Sequence, residues 1–290
     1  MSRWASHLLV VAIFVAAFAA PASAASLKVG PARFIVHDVQ PGRLYDLYKD
    51  TGLQLTLYND DNVERVWQLS VHRPSERGTW ETGYAEIPDA SWCWFDTTTV
   101  TVPPSGQSNA RIFFRIPDEE RYYNQHWVVT LGVGGAPGRG GISLAADVRV
   151  QIETTTKTDV ATQPDGPFAL VPGKVFFEGV VPGETRKGEV RLYNNGSKQC
   201  RYTLRPLFGE VKDPTAYFTT GFSRIADPGF LKYTEAVSVN PGESAPISVE
   251  LSIPAGAASL GKHWEELVLV VPEDGKAGFV RVQISTKESE

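Results

Sequence analysis

One block of about fifty residues is written twice in this chain, and the repetition limits what it can fold into. Residues 83–133 carry Gly83, Tyr84, Ile87 and Asp89, a proline turn between Val100 and Gly106, then Arg115-Ile116-Pro117, then His126-Trp127 and an apolar run. Residues 221–271 say nearly the same thing. Gly221, Phe222, Ile225 and Asp227 answer the opening, Val237 to Gly242 answer the turn, and Ser252-Ile253-Pro254 and His263-Trp264 complete the copy. His126 and His263 are 137 residues apart, as are Pro117 and Pro254. The same correspondence extends outward on both sides. Phe34 pairs with Phe176, the turn at Pro41-Gly42 with that at Pro182-Gly183, Tyr58-Asn59 with Tyr193-Asn194, and Val148 to Ile152 with Val280 to Ile284. A correspondence kept in the same order over most of two halves, at offsets between 132 and 142, points to two copies of one fold.

That fold is all-β. Segments 33–36, 53–57 and 66–71 alternate with the period of two expected of half-buried strands, and they are separated by turn-forming Gly, Pro, Asn and Asp. Segments 98–102, 110–116, 126–133 and 142–152 add four more strands, and no stretch reads as a core helix. About seven short strands per half, with turn signals every eight to twelve residues, is the pattern of an immunoglobulin-like sandwich. The expected organisation is a leader over 1–24, a first sandwich over 25–155, a threonine- and proline-bearing linker over 156–167 and a second sandwich over 168–290. Trp127 and Trp264 are expected to pack between sheets. One phase disagrees between the copies: the face shared by Trp127, Val129 and Leu131 carries Glu266 after Trp264, which calls for either a bulge or an exposed strand end.

The leader has Arg3, an apolar core at 8–20 and the small residues Ala22-Ser23-Ala24, the features of a cleaved secretory signal. Its apolar core is shorter than the roughly 20 residues a spanning helix needs, so the mature chain is expected to be periplasmic or secreted, with no membrane span. Formal net charge is −5, and −6 once Arg3 is removed. A mildly acidic chain without a basic stripe argues against nucleic acid as a partner. Cys93 and Cys200 fall one in each half. Export permits a bridge between them, and two unpaired thiols packed as small apolar groups is the other reading.

Few residues suggest chemistry. His126 and His263 lack further ligands at metal spacing, so no metal or other cofactor is expected. The glycine-rich stretch 132–141 joins two strands, where a phosphate loop would precede a helix, and so reads as a hairpin tip. No nucleophile elbow or zinc-protease motif occurs, and the chain is expected not to be an enzyme. The aromatic segment 78–95 holds Trp80, Trp92 and Trp94, rings of a kind that stack on sugars or fill a core. Trp92 has a counterpart in Phe230, whereas Trp80 and Trp94 are not accounted for by the repeat. The three together are the candidate ligand patch.

Tandem sandwiches with a Val-x-Pro-Gly turn (Val180 or Val181 through Gly183) and a Leu-Tyr-Asn strand end (Leu57 to Asn59, Leu192 to Asn194) resemble the periplasmic pilus chaperones. Asp89 to Trp92, followed by the turn at Pro103 to Gly106, is similar to the immunoglobulin-like modules of WxL-interacting surface proteins. The paired basic residues with which chaperones hold a subunit terminus have no visible counterpart in the sequence, and the membrane helix of the surface proteins is missing. The resemblance implies a non-catalytic protein-interaction or assembly module whose partners are other extracytoplasmic or cell-surface proteins. Carbohydrate or cell-wall glycan binding through the tryptophans is the alternative.

Overall fold

The computed structural model describes residues 27–135, 144–161, 164–209, 211, 217–256 and 259–288. The expected leader and most of the glycine-rich tip lie outside them. In the first half the strands are β1 (Lys28–Gly30), β2 (Arg33–Val39), β3 (Tyr45–Asp46), β4 (Leu55–Asn59), β5 (Arg65–His72), β6 (Ala85–Glu86), β7 (Cys93–Phe95), β8 (Thr99–Val102), β9 (Gly106–Ala110), β10 (Ile112–Phe114), β11 (His126–Gly135) and β12 (Ala145–Thr154). In the second they are β13 (Phe168–Val171), β14 (Lys174–Val180), β15 (Thr185–Asn194), β16 (Cys200–Pro206), β17 (Ser223–Arg224), β18 (Leu231–Tyr233), β19 (Ala236–Val239), β20 (Ser244–Ser252), β21 (His263–Pro272) and β22 (Gly278–Thr286).

Each half is a sandwich of facing sheets. The larger sheets run β2-β12-β11-β5-β8 and β14-β22-β21-β16-β19, the same order twice. The opposing layers are β1-β4-β9 with β3-β10-β7 in the first half, and β13-β15-β20-β18 in the second. In each half the first strand changes layer at a cis proline, Gly30-Pro31 or Val171-Pro172: β1 and β13 pair in the smaller layer, whereas β2 and β14 pair in the larger. Trp127 and Trp264 are buried in the two cores, as expected.

The turns follow from local chemistry. Gly42 and Gly183 take φ of 87° and 101°, and each donates its N–H to the strand carbonyl of Ile116 or Ile253 at 2.8 Å. Ser105 adopts φ 49° where the second copy has Gly242 at φ 72°. Asn59 and Asn194 are fully buried, and their side-chain amides tie down the loops beyond their strands. Asn59 donates to the carbonyls of Val63, Val102 and Pro103, and Asn194 donates to those of Lys198 and Val239.

The all-β expectation holds, and two others need correction. Among the described residues the α-helices are two short ones, α1 (Leu47–Thr51), which buries Leu47, and α2 (Pro74–Arg77), which buries Pro74. Each spans one turn or little more, too short to show a helical period in the sequence. The segment 110–116 is two strands rather than one. Glu266 sits neither in a bulge nor at an exposed end: β21 pairs with β22 in unbroken register from His263 to Val270, and Glu266 is 2% exposed. Its Oε1 accepts the N–H of Leu267 at 3.1 Å, while Oε2 has no partner. Among the described residues no helix is long and apolar enough to cross a membrane.

Burial pushes the Glu266 carboxyl up to about 7, so the fold accommodates its neutral form. The folded pKa lies above the unfolded value, so the stability it contributes is complete below about pH 4.5 and is lost as pH rises through about 7. Thermal melts from pH 5 to 8 should show a falling midpoint for the natural protein. Glu266→Gln, which keeps the neutral shape, should flatten that slope.

Candidate functional site

The two sandwiches are joined face to face through their larger sheets. Side chains alternate across a strand, so Trp127, Val129 and Leu131 fill the first core while His126, Val128 and Thr130 point out of it. On the second sheet Leu267, Leu269, Phe279 and Arg281 point out in the same way. These outer faces meet. Tyr84, Val128, Leu207, Phe208, Tyr217, Leu267, Leu269 and Phe279 form a third apolar cluster, built from both halves. Tyr84 packs edge-on against Phe279 at 5.2 Å, and His126 stacks on the same ring at 4.0 Å.

A charged network crosses this interface. Arg281 is 0% exposed, and its guanidinium bridges Glu153 of the first half and Glu265 of the second. Its Nε donates to Glu153 Oε2 at 2.8 Å, and Nη1 also donates to the Tyr217 carbonyl at 2.9 Å. Tyr84 OH donates to Glu153 Oε1 at 2.6 Å, His37 Nδ1 lies 3.3 Å from Glu153 Oε2, and Gln283 Nε2 donates to Glu265 Oε2 at 2.8 Å. Burial alone would raise the Glu153 carboxyl, but Arg281 and then His37 outweigh it and hold it well below the usual carboxylate range. Burial lowers the His126 imidazole to about 4, so it is neutral at physiological pH. Gln151 is fully buried on the same face, and neither its Nε2 nor its Oε1 has a partner.

Beside this network Arg33 and Arg149 sit directly opposite each other on β2 and β12. Both hold Glu81, at 3.2 and 2.9 Å, and Glu81 also accepts the hydroxyl of Tyr217 from the second half. Two arginines therefore stand together at the domain junction, already bonded to a carboxylate of this chain. Only the strand register brings residues 116 positions apart together.

On the far side of the interface a cleft of about 360 Å³ opens between the halves, lined by Trp80, Ala85, Gln125 and His126 from the first and by Phe168 to Leu170 and Lys276 to Phe279 from the second. Gly83, at φ 83°, packs so closely on Phe279 that any side chain would meet that ring at 2.7 Å. The Lys276 ammonium lies over the Trp80 ring.

The three candidate tryptophans have three different surroundings. Trp80 is in the cleft wall. Trp92 packs against the first core on Tyr122 and Trp127. Trp94 stands on the outer face of the smaller layer, stacked on Phe113 at 6.0 Å. Trp80 and Trp94 are each 38% exposed, and each already has a partner on one ring face. Cys93 and Cys200 are both free thiols, and burial pushes the Cys93 thiol up to about 12, where it is inert. His263, the counterpart of His126, is exposed and 3.3 Å from Ser285. Among the described residues no group of three His, Cys, Asp or Glu is placed to hold a metal ion.

A hydrogen-bonded chain that motif reading passes over lies on the outer face of β5. Ser70 Oγ is 2.8 Å from His72 Nε2, and His72 Nδ1 is 3.2 Å from Glu76 Oε2. Gly132 makes room for it, because a side chain there would meet Ser70 Oγ at 2.8 Å. The order matches a nucleophile, base and acid, but Ser70 is exposed, His72 is half-buried and the Glu76 side chain is 51% exposed.

No family model matches the chain, and no curated protein matches it. Solved structures that it is similar to include a protein of unknown function from Porphyromonas gingivalis W83, at 14% identity, 89% of this chain, 99% of that chain and a TM-score of 0.35. They also include the periplasmic chaperone SfaE, at 10% identity, 90% and 100% coverage and a TM-score of 0.30. The E. coli chaperone DraB is another, at 15% identity, 91% and 97% coverage and a TM-score of 0.31. The fold described above rests on the strand order and register of this chain itself.

Arg281→Met should cost on the order of 3–5 kcal/mol of unfolding free energy, because it leaves two carboxylates buried without their partner. Urea denaturation at pH 7 measures it, and the deficit should narrow as pH falls below the ordinary carboxylate range, where the natural protein loses the stability that the depressed Glu153 carboxyl contributes. A fluorophosphonate probe checks the serine chain. Ser70 should remain unlabelled, because a water-exposed Glu76 does not hold the imidazole in one orientation.

Proposed function

We propose that the protein is an extracytoplasmic protein-binding module that receives a strand of its partner along residues 145–148 of β12. The observation that carries this reading is a strand edge that no strand among the described residues fills. β11 covers one side of β12 throughout, but β2 covers the other side only from Arg149 onward, because the chain before Arg33 leaves through Ala32 and Pro31 to the opposite layer. Residues 145–148 therefore present backbone N–H and C=O groups on an open edge, which is how sheets recruit an extended segment of another chain. Val148 is buried in the core on that stretch, so the edge is held by packing.

In the pilus chaperones that the sequence resembles, paired basic residues hold a subunit terminus. Arg33 and Arg149 adjoin the open edge here, but Glu81 supplies the carboxylate that both of them bind. In this reading the arginines fix the end of the edge, and the partner's affinity comes from backbone pairing along it. The location outside the cytoplasm rests on the leader sequence, and osmotic-shock fractionation tests it separately.

The decisive experiment places a photo-crosslinking benzoylphenylalanine at Ala145, and in a control at Lys187 on the outer face of the second sandwich. Irradiation of cells should give a discrete protein adduct from position 145 and none from 187. No adduct at 145, or equal adducts at both, would sink the proposal.

A further inference from the structure

The cleft beneath Trp80 is bounded by two more open strand edges, and both point their backbone groups into it. β22 pairs with β21 along its whole length, but β14 joins its other side only at Arg281, opposite Lys174. Arg281 N–H donates to the Gly173 carbonyl on that side at 3.1 Å. Successive residues of a strand direct their N–H and C=O to opposite edges, so Phe279, two positions earlier, directs its own toward the same side. There no strand among the described residues adjoins it, and Phe279 is fully buried. Among the described residues β13 pairs only with β15. The Pro167 carbonyl faces that neighbour, accepting from Asn195 N–H at 3.0 Å, so Phe168 and Leu170 direct their backbone groups to the open edge. Phe168, Leu170 and Phe279 all line the same cleft.

Sheltered backbone groups without partners are costly, and an extended chain laid between these edges would satisfy them. The space beside them suits an apolar side chain, because its walls include the faces or edges of Trp80, His126, Trp127, Phe168 and Phe279. Charge adds a direction. Two acids line the cleft, but Glu86 is held by Arg73 and the Ser75 N–H, and Asp165 lies 3.7 Å from Arg121. Lys276, stacked on Trp80, makes no ion pair at salt-bridge distance among the described residues, and the only carboxylate acting on its charge is Glu86, which is already held by Arg73.

We propose that the cleft binds a short extended peptide of about three residues, one that pairs with the β22 edge at Phe279, seats one apolar side chain in the cavity and sets a carboxylate against Lys276. This site is separate from the 145–148 edge, and either can fail without the other.

The test is calorimetric titration of the full mature chain with the peptide acetyl-Val-Thr-Phe-Thr-Asp. Three further probes go beside it: the same peptide N-methylated at its central residues, the same peptide ending in Asn-amide, and octanoate. Lys276→Glu should weaken binding of the first peptide about tenfold or more, as should N-methylation or loss of the carboxylates. Ala85→Trp, which fills the cleft from an exposed position, should abolish binding while the unfolding midpoint stays in place. Hydrogen exchange at residues 278–280 should slow when the peptide binds. The proposal is overturned if no binding occurs at millimolar peptide, if the folded Ala85→Trp variant binds as well, or if the N-methylated peptide binds equally. Octanoate matching the peptide would also overturn it, since the cleft would then be a site for simple apolar acids.

Discussion

A single guanidinium holds the two halves of this molecule in register. Arg281 lies in the second sandwich, yet two of its bonds reach Glu153 of the first, at a depth where water cannot compete. A charge buried that deeply is tolerated only when its partners are complete. Glu153, Glu265 and the Tyr217 carbonyl complete it, and Tyr84, Gln283 and His37 then occupy the remaining sites on the carboxylates. The apolar ring of Val128, Leu267, Leu269 and Phe279 shields the group, which strengthens every bond within it. Any sliding of one sheet over the other would separate these partners. The network therefore opposes sliding at the junction.

Duplicated positions supply the two sides of that junction unequally. Arg149 and Arg281 are equivalent, but the first holds Glu81 at the rim while the second is sealed within. Val128 corresponds to Glu265, Tyr84 to Phe222, and Glu153 to Ser285. In the first half the bonding members Tyr84 and Glu153 face inward, whereas Phe222 and His263 pack together at the surface in the second. Gln283 finds Thr219 and Glu265, and its counterpart Gln151 finds no partner at all. One inherited sheet face has become a socket in one copy and the plug in the other, and most of the change is polar.

This is also why the sequence shows the sandwiches better than their junction. Turns and strand ends are local, so Gly42 and Gly183, or Asn59 and Asn194, declare themselves by residue type and repeat. β11 and β21 are buried on both faces, by their own cores and by each other's sandwich. Two-sided burial erases the period of two on which a strand's inward face is recognised. Glu266 misleads for a related reason: a carboxyl kept near neutrality by burial looks, as a letter, like a solvent-facing acid. The arginine pair and the cleft depend on register and on packing between halves, which spacing along one chain does not record. Of the tryptophans singled out by composition, Trp92 belongs to a core, and Trp80 gains its setting only from Lys276, which lies 196 residues away.

The same construction explains where binding capacity remains. In each sandwich the first strand crosses between layers at its cis proline, and the crossing leaves the start of the last strand without a neighbour. Repetition thus creates two equivalent gaps, at 145–148 and at 278–280. Face-to-face packing then makes them different. No strand among the described residues covers the first, so a long partner strand can approach it. The second is roofed by β6 and Trp80 of the other half, so only a short segment fits, and its neighbours Lys276 and Phe279 add charge and shape to backbone pairing. A junction that opposes sliding is what keeps that roof in place, so the selectivity of the second gap follows from the buried arginine as directly as the stability does.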